Sequence, residues 1–257
     1  MDIFVAIIMG LVQGLTEFLP VSSSGHLMVA QNWFGVAESS LLFVLILHLA
    51  TLCAVVIVFR KKIWELIKNP FCKTGYALLI STVISCALVL IFMDYIDSAF
   101  NYNFLPFFFL VTATLLLVVT FINVKPNQQA DGTTVTYKTS IATGIMQGIA
   151  VIPGISRSGA TIAAALATGA NREDAAEFSF LMSIPIIIAS FVYHVVSNPS
   201  GIMSIDILPI ILGFIAAFVS GIFAIKIMLA LVKRVKLYWF SAYLVVLAVV
   251  LLIIQMI

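Results

Sequence analysis

The chain has 257 residues, of which 63% are hydrophobic and 9% charged, and its formal net charge is +2. A soluble domain carries about 25% charged residues, so this chain cannot coat a globule in water, and it has no basic run that would suit nucleic acid. What remains is an all-α polytopic membrane protein.

The first apolar run, residues 2–19, is stopped by Pro20 and a serine triplet and resumes over about 25–35. Each arm is shorter than the roughly 20 residues a spanning helix needs. Irregular backbone at membrane depth survives only when buried in protein or facing a wet cavity. The run therefore predicts a re-entrant helix hairpin. Asp2 stands where a signal peptide would carry basic residues, so no cleaved signal peptide is expected. Spanning helices are predicted at about 41–59, 76–94 and 104–123. A second broken run follows over 139–152, is stopped by Pro153-Gly154 and resumes over about 159–170. Three more spans are predicted at 176–196, 207–230 and 238–257. Cys53, Cys72 and Cys86 have no motif spacing and read as small apolar residues.

The two broken runs are related. Shifted by 134 positions, Gly10 meets Gly144, Gln13 meets Gln147, Gly14 meets Gly148, Ser22 meets Ser156, Ser24 meets Ser158 and Gly25 meets Gly159. The same shift carries the first three spans onto the last three. The chain reads as a single membrane domain, residues 1–257, made of repeat 1 at about 1–123 and repeat 2 at about 135–257. Each repeat holds one hairpin and three spans. Three is odd, so the second repeat enters from the opposite face: six spanning helices plus two re-entrant hairpins in an inverted-topology repeat.

Charge supports that plan. If 60–75 is cytoplasmic, so are 124–138, 169–175 and 231–237. These segments hold Arg60, Lys61, Lys62, Lys68, Lys73, Lys125, Lys138, Arg172, Lys233, Arg234 and Lys236, eleven of the 13 basic residues. The opposite segments, near Asp2, Glu38, Asp94, Asp97 and Asp206, hold none. This positive-inside pattern predicts both termini outside. The two hairpin tips then approach each other near the midplane.

The tips carry the chemistry. Arg157 is an intramembrane arginine, which costs at least about 2.5–3.5 kcal/mol at a helix centre and demands an anion or a wet cavity. Ser156, Ser158 and Gly159 around it read as a turn opening a helix, whose free amides suit phosphate. A buried ion pair of Arg157 with Glu17 is the structural reading, and the two are compatible. Ser22, Ser23, Ser24 and Gly25 form the matching turn. Glu17 lies four residues after Gln13, on the same helix face. It can bind a cation, orient His26 or neutralise Arg157. His26 can deprotonate Ser23 or a water, since a spacing of three on a helix start brings side chains together. Either route fits: a phosphoserine at Ser23, or water activated by His26. His48 has no motif about it and reads as a core histidine. Glu177 reads as a cap or a partner of Arg172.

At GLTEFLPVSSSGH and PGISRSGAT the sequence closely resembles the undecaprenyl pyrophosphate phosphatase family, associated with bacitracin resistance. The stretch AAEFSFLMSIP, Ala175 to Pro185, fits as well. The resemblance implies an enzyme of the bacterial inner membrane that removes the terminal phosphate of a polyprenyl pyrophosphate lipid and so recycles the carrier for cell-wall synthesis. It carries the family serine and histidine onto Ser23 and His26, the arginine onto Arg157, and the acidic motif onto Gln13 and Glu17, the first in its neutral form. It also implies a divalent cation, magnesium or calcium, at Glu17 and Gln13. A homodimer is compatible with the sequence. The rival class is a secondary transporter or flippase for an anionic or polyprenyl-phosphate substrate, since broken helices in inverted repeats are a transporter plan.

Overall fold

The computed structural model describes residues 2–36, 41–93, 95, 101–122, 127, 133–197, 207–234 and 236–256. Glu38, Asp94, Asp97, Lys125 and Asp206, which entered the charge argument, lie outside the described residues. Within them every regular element is helical.

The first broken run forms α1 (Ile3–Phe18) and α2 (Ser23–Phe34). The second forms α7 (Tyr137–Ile149) and α8 (Arg157–Ala167). Between them lie α3 (Leu41–Val58), α4 (Arg60–Lys68), α5 (Lys73–Ile91) and α6 (Leu105–Phe121), the last preceded by a 3-10 turn at Tyr102–Phe104. After them come α9 (Arg172–Ser197), α10 (Ile207–Arg234) and α11 (Tyr238–Met256). Among the described residues, five helical stretches are long and apolar enough to cross a membrane, and the pair α3 and α4 makes a sixth if counted as one span. The starts of α1 and α7 are 134 positions apart, as are those of α2 and α8.

α4 departs from the expectation of a plain cytoplasmic segment. It turns 79° away from α3. Its sequence explains the turn. Ile63 and Leu66 pack toward the core, while Arg60, Lys61 and Lys68 stay exposed, so the helix is amphipathic and suits an interface. The basic segments gather at this end of the molecule. Lys62 pairs with Glu177 at 3.4 Å and Lys233 with Glu173 at 2.9 Å. Thr134 Oγ1 donates to Asp174 at 2.6 Å. Glu177 thus pairs with Lys62, where a helix cap or a pair with Arg172 was the expectation. At the other end, Gln255 Nε2 donates to the Tyr102 carbonyl at 3.0 Å.

The broken helices are gripped through glycine. α1 packs on α10, and α7 packs on α5. A Cβ at Gly10 would sit 2.3 Å from the Gly213 carbonyl oxygen, and one at Gly144 would sit 2.8 Å from the Ser81 carbonyl oxygen. Membrane helices gain little from burying apolar surface against each other, so close backbone approach through small residues carries their packing. The matched glycines in the two runs do the same job. α6 then braces both tips. Its Phe109 lies where a Cβ at Gly25 would be 2.6 Å from the ring, and Thr112 Oγ1 accepts from Ser156 N–H at 2.9 Å and donates to the Gly154 carbonyl at 3.1 Å.

This packing gives a testable contrast. Gly10→Ala has to push α1 off α10 and should cost about 1–3 kcal/mol. Gly35→Asn has open space and a left-handed φ of 61° that asparagine tolerates, so it should be near neutral. Thermal unfolding in detergent should rank Gly10→Ala well below wild type and Gly35→Asn beside it.

Candidate active site

The first tip is built by a proline and a strained serine. Leu19, before Pro20, is extended at φ −77° and ψ 145°, which ends α1. Ser22 then takes φ 67° and ψ 91°, the only positive φ among the described non-glycine residues. Such a conformation costs on the order of 1–3 kcal/mol. It aims the Ser22 carbonyl at the residue one turn on: His26 N–H donates to it at 3.1 Å and His26 Nδ1 lies 2.8 Å from it. The second tip is relaxed. Gly154 supplies the positive φ, 92°, and Ser156 caps α8 by accepting from Gly159 N–H at 3.1 Å.

The tips touch at three places. Ser158 Oγ donates to the Leu19 carbonyl at 2.9 Å. Gly159 approaches so closely that a Cβ there would meet Pro20 at 3.3 Å. The Arg157 guanidinium pairs with Glu17 Oε1. Glu17 is 6% exposed, and its other oxygen is equally engaged. Ser23 Oγ donates to Oε2 at 2.5 Å, and Gln13 Nε2 donates to it at 2.9 Å. One carboxylate from α1 thus holds the arginine of one tip and a serine of the other.

Beside this cluster lies a cavity of about 160 Å³, lined among others by Glu17, Ser22, Ser23, Ser24, His48, Gln147, Ser156 and Arg157. A single water needs roughly 10–15 Å³, so a phosphate group fits with room for water. The backbone N–H groups of Ser23 and Ser24, and of Arg157 and Ser158, find no acceptor among the described residues. They are the orphan donors of two helix starts, and with Arg157 they suit an anion.

Several sequence expectations change in detail. Gly25, Ser158 and Gly159 do not line the cavity. They are packing and tip-to-tip contacts, set by Phe109, the Leu19 carbonyl and Pro20. His26 does not meet Ser23. Its ring stacks on Tyr243 of α11, with Nε2 2.7 Å from the Tyr243 hydroxyl. The Ser22 carbonyl can only accept, so the neutral ring carries its hydrogen on Nδ1 and Nε2 accepts from the tyrosine. Phe109 lies on the edge of the same ring, at 5.7 Å between centroids. Phe109 and Tyr243 are themselves 134 positions apart.

His48, expected as a core histidine, lines the cavity instead. Its Nδ1 is 2.8 Å from the Val44 carbonyl, which fixes the hydrogen there. Its Nε2 lies 3.7 Å from Glu17 Oε2. The available signal was that an ionisable residue inside a span is functional by default. Gln147 also lines the cavity, and only its match to Gln13 pointed to it.

The donor set does not fit a resident divalent cation. Both Glu17 oxygens are taken by donors, and Gln13 turns its amide nitrogen, not its oxygen, toward the carboxylate. Its free Oε1 is buried and does not line the cavity. Among the described residues no group of three or more His, Cys, Asp or Glu is placed to hold a metal ion.

The family model described as "Bacitracin resistance protein BacA" matches residues 6–250. A protein of Carboxydothermus hydrogenoformans named undecaprenyl-diphosphatase is 41% identical, over 99% of this chain and 98% of its own. Proteins of the same name from Treponema denticola and Christiangramia forsetii are 40% and 38% identical, each over 95% of this chain and 94% of its own. The chain belongs to the BacA bacitracin resistance protein family.

Proposed function

We infer that this chain is an undecaprenyl-diphosphatase, a multi-pass membrane hydrolase that converts undecaprenyl pyrophosphate to undecaprenyl phosphate and phosphate. Its product is the carrier used in peptidoglycan synthesis. Family membership and the name shared by its relatives support the reaction. One structural observation carries the mechanism: Glu17 bridges Arg157 and Ser23 beside a cavity lined by the serines of both helix starts.

The polyprenyl chain stays in lipid while the pyrophosphate enters the cavity. Ser22, Ser24, Ser156, Arg157 and the open amides of Ser23, Ser24 and Arg157 hold its terminal phosphate. Gly25, Ser158 and Gly159, once expected to bind phosphate, shape the tips that do. The phosphate competes with Glu17 for the guanidinium. As Arg157 turns to it, Glu17 loses its cation and becomes a stronger proton acceptor, 2.5 Å from Ser23 Oγ. Ser23 Oγ attacks the terminal phosphorus, its proton passes to Glu17, and the bond to the bridging oxygen breaks. Undecaprenyl phosphate leaves with that oxygen. A water then cleaves the phosphoserine, giving free phosphate and returning the serine proton. Arg157 and the amides stabilise the charge on the transferring phosphoryl group. His26 acts as a positioning residue, holding the strained tip against Tyr243. His48 offers a second proton acceptor beside Glu17. No step here passes through magnesium or calcium. The transporter reading is not retained, because a carrier needs anion sites but no nucleophile with a proton acceptor.

The same reading takes the fold as an inverted-topology repeat of two hairpins and six spans in the inner membrane, with both termini outside. The equal 134-residue spacing of helix starts and the paired glycine contacts support it. So does the gathering of basic segments at one end, through Lys62–Glu177 and Lys233–Glu173. The cavity is lined by Leu45 and His48 from the first half of α3 and by Ile186 and Ser190 from the second half of α9. On this topology both are outer halves, so the substrate head is received from outside.

Two experiments test these readings. With Cys53, Cys72 and Cys86 replaced, Asn101→Cys should react with an impermeant thiol reagent from outside and Lys68→Cys should not. Strong outside labelling at position 68 would reverse the orientation. Phosphate release from purified protein should fall by about two to three decades in Arg157→Lys, which keeps the charge but loses the fork. It should almost vanish in Ser23→Ala, whereas Ser22→Ala and Ser24→Ala should be milder. A folded Ser23→Ala protein that keeps a tenth of turnover, about 1.4 kcal/mol in barrier, would make water the nucleophile.

A further inference from the structure

Gln147 is used by nothing above. It sits on the last turn of α7, 1% exposed, and lines the cavity with Glu17, Ser23 and Arg157. Its Nε2 donates to Ser85 Oγ on α5 at 3.2 Å. The single hydroxyl hydrogen of Ser85 is directed to carbonyls, Ser81 at 2.7 Å and Gly144 at 3.0 Å. Only a lone pair of Ser85 is therefore left for the amide, and that settles which end of Gln147 faces it. The nitrogen points to Ser85, and Oε1 is left over. That oxygen is buried and has no donor among the described residues.

A buried acceptor without a donor is costly, so its position beside the cavity points to a ligand that carries one. Much of the phosphate-facing surface consists of donors, the Arg157 guanidinium, the helix-start amides and the serine hydroxyls, while the Glu17 oxygens on it are already engaged by Arg157, Ser23 and Gln13. A neutral acceptor with no donor of its own, set beside them, repels a bare oxyanion edge and welcomes an O–H. We propose that Gln147 is a specificity-determining residue, whose Oε1 accepts a hydrogen bond from a protonated oxygen of the terminal phosphate. The site then takes a tetrahedral oxyanion bearing one hydroxyl and rejects one of the same shape and charge that has none. This rests on the diphosphatase reading and adds the protonation state of the group bound.

Inorganic phosphate and sulfate separate the cases. At mildly alkaline pH both are dianions of similar size, but phosphate keeps one O–H and sulfate keeps none. Each is titrated as an inhibitor of polyprenyl pyrophosphate hydrolysis by the purified protein. In the wild type, phosphate should inhibit about tenfold more strongly than sulfate, the effect of one hydrogen bond gained against one left unmade. Gln147→Leu should bring the two within about twofold, mainly by weakening phosphate. Thr143→Ala, a buried polar loss one turn earlier on α7, should keep the wild-type ratio, because it disturbs the helix but not the acceptor. Equal inhibition by the two anions in the wild type would overturn the proposal without any variant. So would an unchanged ratio in Gln147→Leu. A wild-type protein that releases no phosphate at all would instead overturn the diphosphatase reading.

Discussion

The structure depends on one buried ion pair. Glu17 and Arg157 are 140 positions apart, and neither tip can leave its charge alone in a membrane interior. Removing one partner of such a pair typically costs about 3–5 kcal/mol, because the other is stranded. The pair therefore dictates that the two broken helices meet tip to tip. It also keeps the carboxylate charged and the guanidinium extended before any ligand arrives.

The surrounding frame exists to hold that meeting in register. α1 and α7 are too short to be anchored by span length, so they are anchored by glycine contacts along α10 and α5. α6 stands behind both tips, touching one through Phe109 and the other through Thr112. The two tips are not equal. The second turns through a glycine, whereas the first forces Ser22 to positive φ. That strain falls on the tip that carries Ser23, and His26 with Tyr243 holds it there.

Much of this was legible in the residues. Apolar run lengths, two proline-broken runs and an intramembrane arginine gave the helices, the tips and the partners Glu17 and Arg157. The reason is that hydrophobic length and buried charge are strong constraints that act locally along the chain. Side-chain direction is a weaker signal. A spacing of three brought Ser23 and His26 near each other, but the Ser22 carbonyl captured Nδ1 and turned the ring toward α11. His48 was passed over because its partner, Glu17, lies on another helix and no motif links them. The bend into α4 was missed for a different reason: a window of spanning length averages an amphipathic turn into its neighbours.

The most direct test is a double-mutant cycle on the central pair, read by unfolding of the purified protein in detergent. Glu17→Gln strands the arginine and Arg157→Met strands the carboxylate, so each alone should lose stability. The double variant removes both charges and should recover most of the loss, giving a coupling of about 3 kcal/mol, at the upper end of what contacting residues show. Losses that simply add would mean that the two tips do not hold each other through this pair.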